Sequence, residues 1–323
     1  MDSSRSDSIG RSRSLQSIPR RSLIKGLGAA TGIGLLSSVT SRWSGVSAQD
    51  ATPVPVPQES NVSYREGDDP QTRLDVYWTD HDRPVPAMIV IHGGALAFGS
   101  RHDYIFDFMA QSFAQAGYVA FNIDYRLFSL ENGANAWPTQ LDDAQQVVRW
   151  IRANAGKYGV DPERIGAFGH SSGAQLAAFL GTRDTRDNSD PALAQYSSRV
   201  NCVVDLAGYV DATIPLSIPD FQDVTVALLG AAAESPPNAE TIADFSPITF
   251  VNKTSGPFLI MQGTADDIVP VENSRRMTNS LHEAGVEVVY GEFPPYDHLN
   301  VIDWNLIGSQ TLAFLDRHLQ TGQ

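Results

Sequence analysis

Apolar runs of strand length alternate with amphipathic stretches of helical length along most of the chain. Leu74-Asp75-Val76-Tyr77-Trp78 alternates with period two and predicts an early antiparallel strand, whereas Ala87-Met88-Ile89-Val90-Ile91 is apolar throughout, as in a strand covered on both faces. A helix is predicted over 104–116, a strand over 118–123, and a long amphipathic helix over 138–156 with Leu141, Val147, Val148 and Ile151 on its inner face. Asp161-Pro162-Glu163-Arg164 then turns the chain into a short apolar strand that reaches Gly169, followed by the helix formers Ala174 to Leu180. Further strands are predicted over 200–206, 258–262 and 286–291, and further helices over 271–284 and 304–319. Such alternation is the signature of right-handed crossover units on a mostly parallel, doubly wound sheet. Two stretches break the rhythm. Residues 182–198 are polar and predict a surface excursion, and 208–244 carry Pro215, Pro219, Pro236 and Pro237 around a short helical piece, which suits a small cap over one end of the sheet.

The start of the chain has a different composition. Arg20-Arg21-Ser22-Leu23-Ile24-Lys25 precedes a weakly apolar run, Gly26 to Val39, and then Val46-Ser47-Ala48 with small residues at both positions that determine cleavage. This pattern predicts a twin-arginine export signal over 1–48, with a mature start near Gln49 and a protein that works outside the cytoplasm. The apolar run is shorter than the roughly 20 residues a spanning helix needs, so no permanent membrane span is expected. Alternating prolines in Thr52-Pro53-Val54-Pro55-Val56-Pro57 predict an extended spacer over 49–60, and the folded domain is expected over 61–323.

Composition narrows the partners. With 42% hydrophobic and 19% charged residues, the chain has the makings of a sizeable core. Residues 1–48 hold seven of the 23 Lys and Arg and two of the 37 Asp and Glu, which leaves 16 against 35 and a formal charge of −19 for the remainder. That surface repels phosphate backbones, so no nucleic-acid partner is expected. Cys202 is the one cysteine, so no intramolecular disulfide can form, and its apolar surroundings predict a small core residue.

The stretch Ile165-Gly166-Ala167-Phe168-Gly169-His170-Ser171-Ser172-Gly173 reads as a buried strand running through a Gly-x-Ser-x-Gly turn into a helix, a nucleophile elbow with Ser171 at its corner. Gly169 and Gly173 leave room for the adjoining strand and helix. The competing reading is a glycine-rich helix cap without chemistry, and it stands only if no acid and no base follow. A serine hydroxyl is too weak an acid to attack an ester unaided; it needs a histidine base and a carboxylate that holds the imidazole's tautomer. Both are expected at later strand ends in the order acid, then histidine. After strand 258–262 comes Gly263-Thr264-Ala265-Asp266-Asp267, where Asp266 is the expected acid and its neighbour Asp267 the alternative. After the last strand, Pro294-Pro295-Tyr296-Asp297-His298 supplies the expected base, His298. His81 and His102 precede the elbow, His282 faces solvent within a helix, His318 is near the end, and His170 cannot easily fold back onto its neighbour. For the oxyanion hole, one backbone N–H is expected from Ser172 and a second from Gly94 or Ala95 in His92-Gly93-Gly94-Ala95, with Gly93 shaping the turn and His92 anchoring the loop.

The set His92-Gly93-Gly94, Asp124-Tyr125-Arg126-Leu127, Gly169-His170-Ser171-Ser172-Gly173, Ser246-Pro247-Ile248, Gly263-Thr264-Ala265-Asp266 and His298 resembles the α/β-hydrolase superfamily, within it the hormone-sensitive-lipase-like esterases and their feruloyl or acetyl-xylan esterase relatives. The resemblance covers roughly 61–320. It implies the α/β-hydrolase fold, a mostly parallel eight-stranded sheet with helices on both faces and a small cap insert. It also implies hydrolysis of small-molecule or polymer-linked carboxylic esters without metal or organic cofactor, with Ser171, Asp266 and His298 in the family's three roles. Two departures bear on pocket shape: Ala95-Leu96-Ala97-Phe98 follows the His-Gly-Gly, and Ser172 stands where the family usually has alanine. A serine peptidase of the same fold and an idle binding protein are the competing functions. The modest cap suggests an open cleft for short acyl chains, and Phe98, Phe128, Trp137, Tyr209 and Tyr296 are placed either to line a pocket or to pack beneath the cap.

Overall fold

The computed structural model describes residues 56–231 and 235–320, so the export signal and most of the spacer read from the sequence lie outside the described residues. Eight strands form one sheet: β1 (Glu59–Ser63), β2 (Arg73–Tyr77), β3 (Val85–Ile91), β4 (Val119–Ile123), β5 (Val160–His170), β6 (Cys202–Leu206), β7 (Phe258–Gly263) and β8 (Val288–Phe293). Their spatial order is β1-β2-β4-β3-β5-β6-β7-β8. β2 pairs antiparallel with both β1 and β4, and every pairing from β4 through β8 is parallel. β1 starts at Glu59, inside the stretch read as spacer.

The continuous apolar run of β3 follows from its place near the middle of the sheet. Ala87, Ile89 and Ile91 pack into one core and Met88 and Val90 into the other, so neither face meets water. The first core is closed by α2 (Thr139–Ala153) through Leu141, Val147, Val148 and Ile151, by α4 (Ser172–Thr182) through Leu176 to Leu180, and by α7 (Glu272–Glu283) through Met277 and Leu281. The second is closed by α1 (Tyr104–Gln115) through Phe106, Met109 and Phe113 and by α8 (Trp304–Leu319) through Ile307, Phe314 and Leu315. The short α3 (Ala155–Tyr158) precedes β5. Cys202 is a buried residue of the second core.

Two elements differ in detail from the sequence pattern. Asp161 to Arg164 belong to β5 rather than preceding it, but they stand out as a bulge: the register runs from Val85↔Val160 directly to Ala87↔Ile165. The cap between β6 and β7 holds two helices among its described residues, α5 (Pro219–Leu228) and α6 (Ala239–Asp244), where one helical piece was expected. Pro219 occupies the first turn of α5, a place where a missing N–H costs nothing. The polar 182–198 excursion is tied to the body by the buried Arg149, which donates to Leu193 O, Asp187 O and Asn188 Oδ1. No helix among the described residues is long and apolar enough to cross a membrane.

Candidate active site

The parallel strands β5, β7 and β8 deliver Ser171, Asp266 and His298 to the same edge of the sheet, because each residue follows the carboxyl end of its strand. Ser171 is the N-cap of α4 and sits at φ 58°, ψ −124°, a conformation costly for a residue with a side chain. Its surroundings enforce it. A Cβ on Gly169 would lie 2.2 Å from Gly173 O, and one on Gly173 would lie 2.2 Å from Ile91 O, so any side chain at either position would push the corner apart. Ser171 N–H is bound to Leu206 O at 2.9 Å, which docks the elbow onto the end of β6.

Asp266 and His298 form a closed pair. His298 Nδ1 donates to Asp266 Oδ2 at 2.7 Å, and both side chains are almost wholly shielded from solvent. The rest of the carboxylate is filled: Oδ2 also accepts from Gln262 Nε2 at 2.6 Å, and Oδ1 accepts from the Ile268 and Val269 N–H groups at 2.9 and 2.8 Å. Gln262 is itself held, its Oε1 accepting from Ser274 Oγ at 2.6 Å. Asp267 is exposed and makes no hydrogen bond among the described residues, so the geometry separates the two neighbouring aspartates. His298 Nδ1 thus faces Asp266, and its Nε2 makes no hydrogen bond among the described residues. Ser171 Oγ has no hydrogen-bond partner among the described residues; contacts of this kind are often long in a free site and tighten when substrate arrives.

The loop after β3 comes up against the elbow. A Cβ on Gly93 would lie 3.0 Å from His170 O and 3.2 Å from Ser171 Cβ. Gly94, Ala95 and Leu96 follow with φ of 114°, 53° and 60°, and the turn is closed by Ala97 and Phe98 N–H groups on Gly94 O. The N–H groups of Gly94, Ala95 and Ser172 have no partner among the described residues. Ser172 Oγ accepts from Leu96 N at 3.3 Å and so joins loop to elbow.

His92 anchors this loop in the way the sequence suggested. Its ring stacks on Tyr125 at 4.3 Å and donates from Nδ1 to Gly93 O at 2.7 Å, while Tyr125 OH donates to His92 O at 3.0 Å. Burial lowers the His92 pKa, so the anchor is a neutral imidazole.

Sequence reasoning missed two contributors. Arg101, 3% exposed, ion-pairs with Asp124, lies 3.2 Å from Asp75 Oδ2 and donates to Asn61 Oδ1, which fixes the exit of the Gly93–Gly94 loop against β1, β2 and β4. His170 lies against His298. The only signal for Arg101 was a lone basic residue soon after the glycines; for His170 it was its place inside the elbow. The candidate lining aromatics are mostly committed to packing: Trp137 Nε1 donates to Asp244 Oδ2 and its ring meets Phe245 at 4.8 Å, and Tyr209 and Phe128 are buried.

Among the described residues, Asp75, His102 and Asp107 bring possible metal-ligand atoms within 4.8 Å of one another. The Arg101 guanidinium beside Asp75 already supplies the positive charge there.

A profile of the BD-FAE family matches residues 74–281, more than half of the chain. The chain belongs to that family. BD-FAE membership agrees with the α/β-hydrolase resemblance read from the motifs. Among curated proteins, Esterase LipC of Mycobacterium tuberculosis is 31% identical over 242 residues, 72% of this chain and 58% of its own. Esterase LipQ of the same organism is 25% identical over 246 residues, 75% of this chain and 57% of its own. The chain thus spans little more than half the length of the curated relatives it matches. Among solved structures, a truncated carbohydrate esterase from gut microbiota superposes with a TM-score of 0.70 at 24% identity, covering 84% of this chain and 99% of that one. A butyrate-bound thermophilic esterase of Thermogutta terrifontis gives 0.65 at 23%, covering 83% and 97%. These likenesses place the fold among the α/β-hydrolases.

Proposed function

We propose that the protein is an exported serine carboxylesterase that hydrolyses short-chain carboxylic esters through an acyl-enzyme. In this reading His298 Nε2 takes the Ser171 proton as Oγ attacks the ester carbonyl, and Asp266 holds the Nδ1–H tautomer and balances the imidazolium that forms. The tetrahedral oxyanion is met by the N–H groups of Ser172 and of Gly94 or Ala95. His298 then returns the proton to the leaving alcohol, and a water activated by the same imidazole releases the acid. The observation that carries the reading is the 2.7 Å His298–Asp266 pair at the same sheet edge as a serine held at φ 58°. The names of LipC and LipQ support esters as the substrate class.

Short acyl groups follow from the small cap, whose aromatic neighbours are spent on packing, and export follows from the Arg20-Arg21 segment. The test is fluorophosphonate labelling of the folded protein, with Ser171→Ala as control, beside a rate series over acyl length that includes acetylated xylan, feruloyl esters and a peptide. Label at Ser171 with rates falling from acetyl to palmitoyl supports the reading. A folded protein that takes no label at Ser171 removes it, and faster peptide than ester cleavage turns it into a peptidase.

A further inference from the structure

We propose that His170, the residue before the elbow serine, is a positioning residue that holds His298 in place through the main chain. The inference rests on the reading of His298 as the base. His298 reaches the elbow from the loop after β8, and β6 and β7 stand between β8 and β5 in the sheet. The loop that carries the base must therefore reach back over those strands toward the elbow. Asp266 fixes one edge of the imidazole but comes from β7, on the far side. On the elbow side, His170 Nε2 donates to His298 O at 2.8 Å, the only hydrogen bond to that carbonyl among the described residues.

The two rings also lie against each other, 4.7 Å between centroids and tilted by 43°. His170 is 5% exposed, and a Cβ on Gly93 would come within 3.4 Å of its Nδ1. It is therefore wedged between the Gly93–Gly94 loop and the base. Serine, oxyanion loop and histidine loop all meet this one ring, so the spacing between nucleophile and base is set partly by a side chain adjoining the nucleophile in sequence. Because the His298 carbonyl can only accept, His170 carries its proton on Nε2. Burial first, then the neighbouring His298 charge, push its pKa down to about 3, so it stays neutral while His298 exchanges protons and adds no second cation beside the imidazolium.

The experiment compares His170→Phe and His170→Met, which remove the donor, with His170→Gln, whose amide N–H can reach the same carbonyl. His298→Ala is measured alongside, all in the full chain. Readouts are kcat and KM on a soluble acetyl ester, the rate of fluorophosphonate labelling at Ser171, and Tm. A displacement of the base by a fraction of an ångström to one ångström predicts a kcat and labelling rate lower by about 10- to 100-fold, with KM nearly unchanged, in whichever donor-free variant keeps the wild-type Tm. His170→Gln should recover most of that loss. Wild-type kcat in a folded donor-free variant, a loss shared equally by His170→Gln, or a loss confined to KM overturns the proposal. An active His298→Ala protein would instead overturn the assignment of the base, so the two failures are distinguishable.

Discussion

Asp266→Asn is the sharpest probe of the proposed chemistry, because the structure leaves the amide no comfortable orientation. Asp266 accepts four hydrogen bonds: two from backbone N–H groups on Oδ1, and those of Gln262 and His298 on Oδ2. An asparagine has one acceptor oxygen, so its NH2 must face two donors whichever way it points. Turned toward Ile268 and Val269 it meets N–H groups that cannot rotate. Turned toward Gln262 and His298 it meets an amide that cannot flip without losing Ser274, and an imidazole that can adapt by moving its proton to Nε2. That tautomer can no longer accept the serine proton. The expected kcat falls by about 10⁴-fold, equivalent to roughly 5 kcal/mol of barrier. The folded state loses about 1–3 kcal/mol for the mismatched donors. Turnover of an acetyl ester and denaturant unfolding measure both. Asp267→Asn, at an exposed side chain without partners among the described residues, should stay within about twofold of wild type on both counts. A folded Asp266→Asn protein that keeps more than about a hundredth of the wild-type kcat, or a loss that appears in Asp267→Asn instead, would refute the tautomer argument.

Three further substitutions probe the supports. A Cβ at Gly263 would lie 2.2 Å from Tyr296 O, so Gly263→Ala should shift the His298 loop and cut kcat by about 100-fold, and an unchanged rate would show that the loop is not fixed there. Ser172→Ala removes the 3.3 Å acceptor for Leu96 N, so it should cost about 1 kcal/mol of stability and a few-fold in kcat; a loss as large as that of Ser171→Ala would show that the hydroxyl takes part in the chemistry. Asp205 is buried with only the Gly208 N–H as partner among the described residues, and desolvation pushes its pKa up to about 7. From about pH 4 to pH 7 the unfolded chain gives up this proton while the folded chain keeps it, so stability falls across that window by up to about 4 kcal/mol. Asp205→Asn should flatten the slope between pH 4 and pH 7 in denaturant titrations, and an unaltered slope would place the ionisation elsewhere.

The parts of this molecule legible in the sequence are those where one local rule decides. Strand β3 could be read because alternate residues feed two cores, and helix 304–319 because its apolar face recurs at the helical period. The elbow could be read because Gly169 and Gly173 are sterically required, and the Asp266–His298 pair because chain order and strand ends constrain where an acid and a base can meet. The β5 bulge was hidden by the turn-forming look of Asp161-Pro162, since extra strand residues and a turn share the same composition. The second cap helix, α6, is six residues with no buried member, too short to show a period.

What could not be read is the framing of the site by residues remote in the chain, and it follows one physical pattern. The Asp124-Tyr125-Arg126 run looks like a single motif, yet its three side chains serve three different supports. Asp124 meets the buried Arg101 at the loop exit, Tyr125 stacks on His92 at the loop entry, and Arg126 makes a two-pronged contact with the fully buried Asp143 of α2. Arg101 keeps Asp75 and Asp143 keeps Arg65 as second ion-pair partners, so losing Asp124 or Arg126 leaves neither buried charge alone, whereas losing Arg101 itself would strand Asp75 and Asp124 together and should disturb the loop more. His170 belongs to the same class, a polar group made necessary by what the fold brings against it. The motif spacing therefore specifies which residues are candidates for the proposed chemistry, while their framing is set by buried polar contacts between residues remote in the chain.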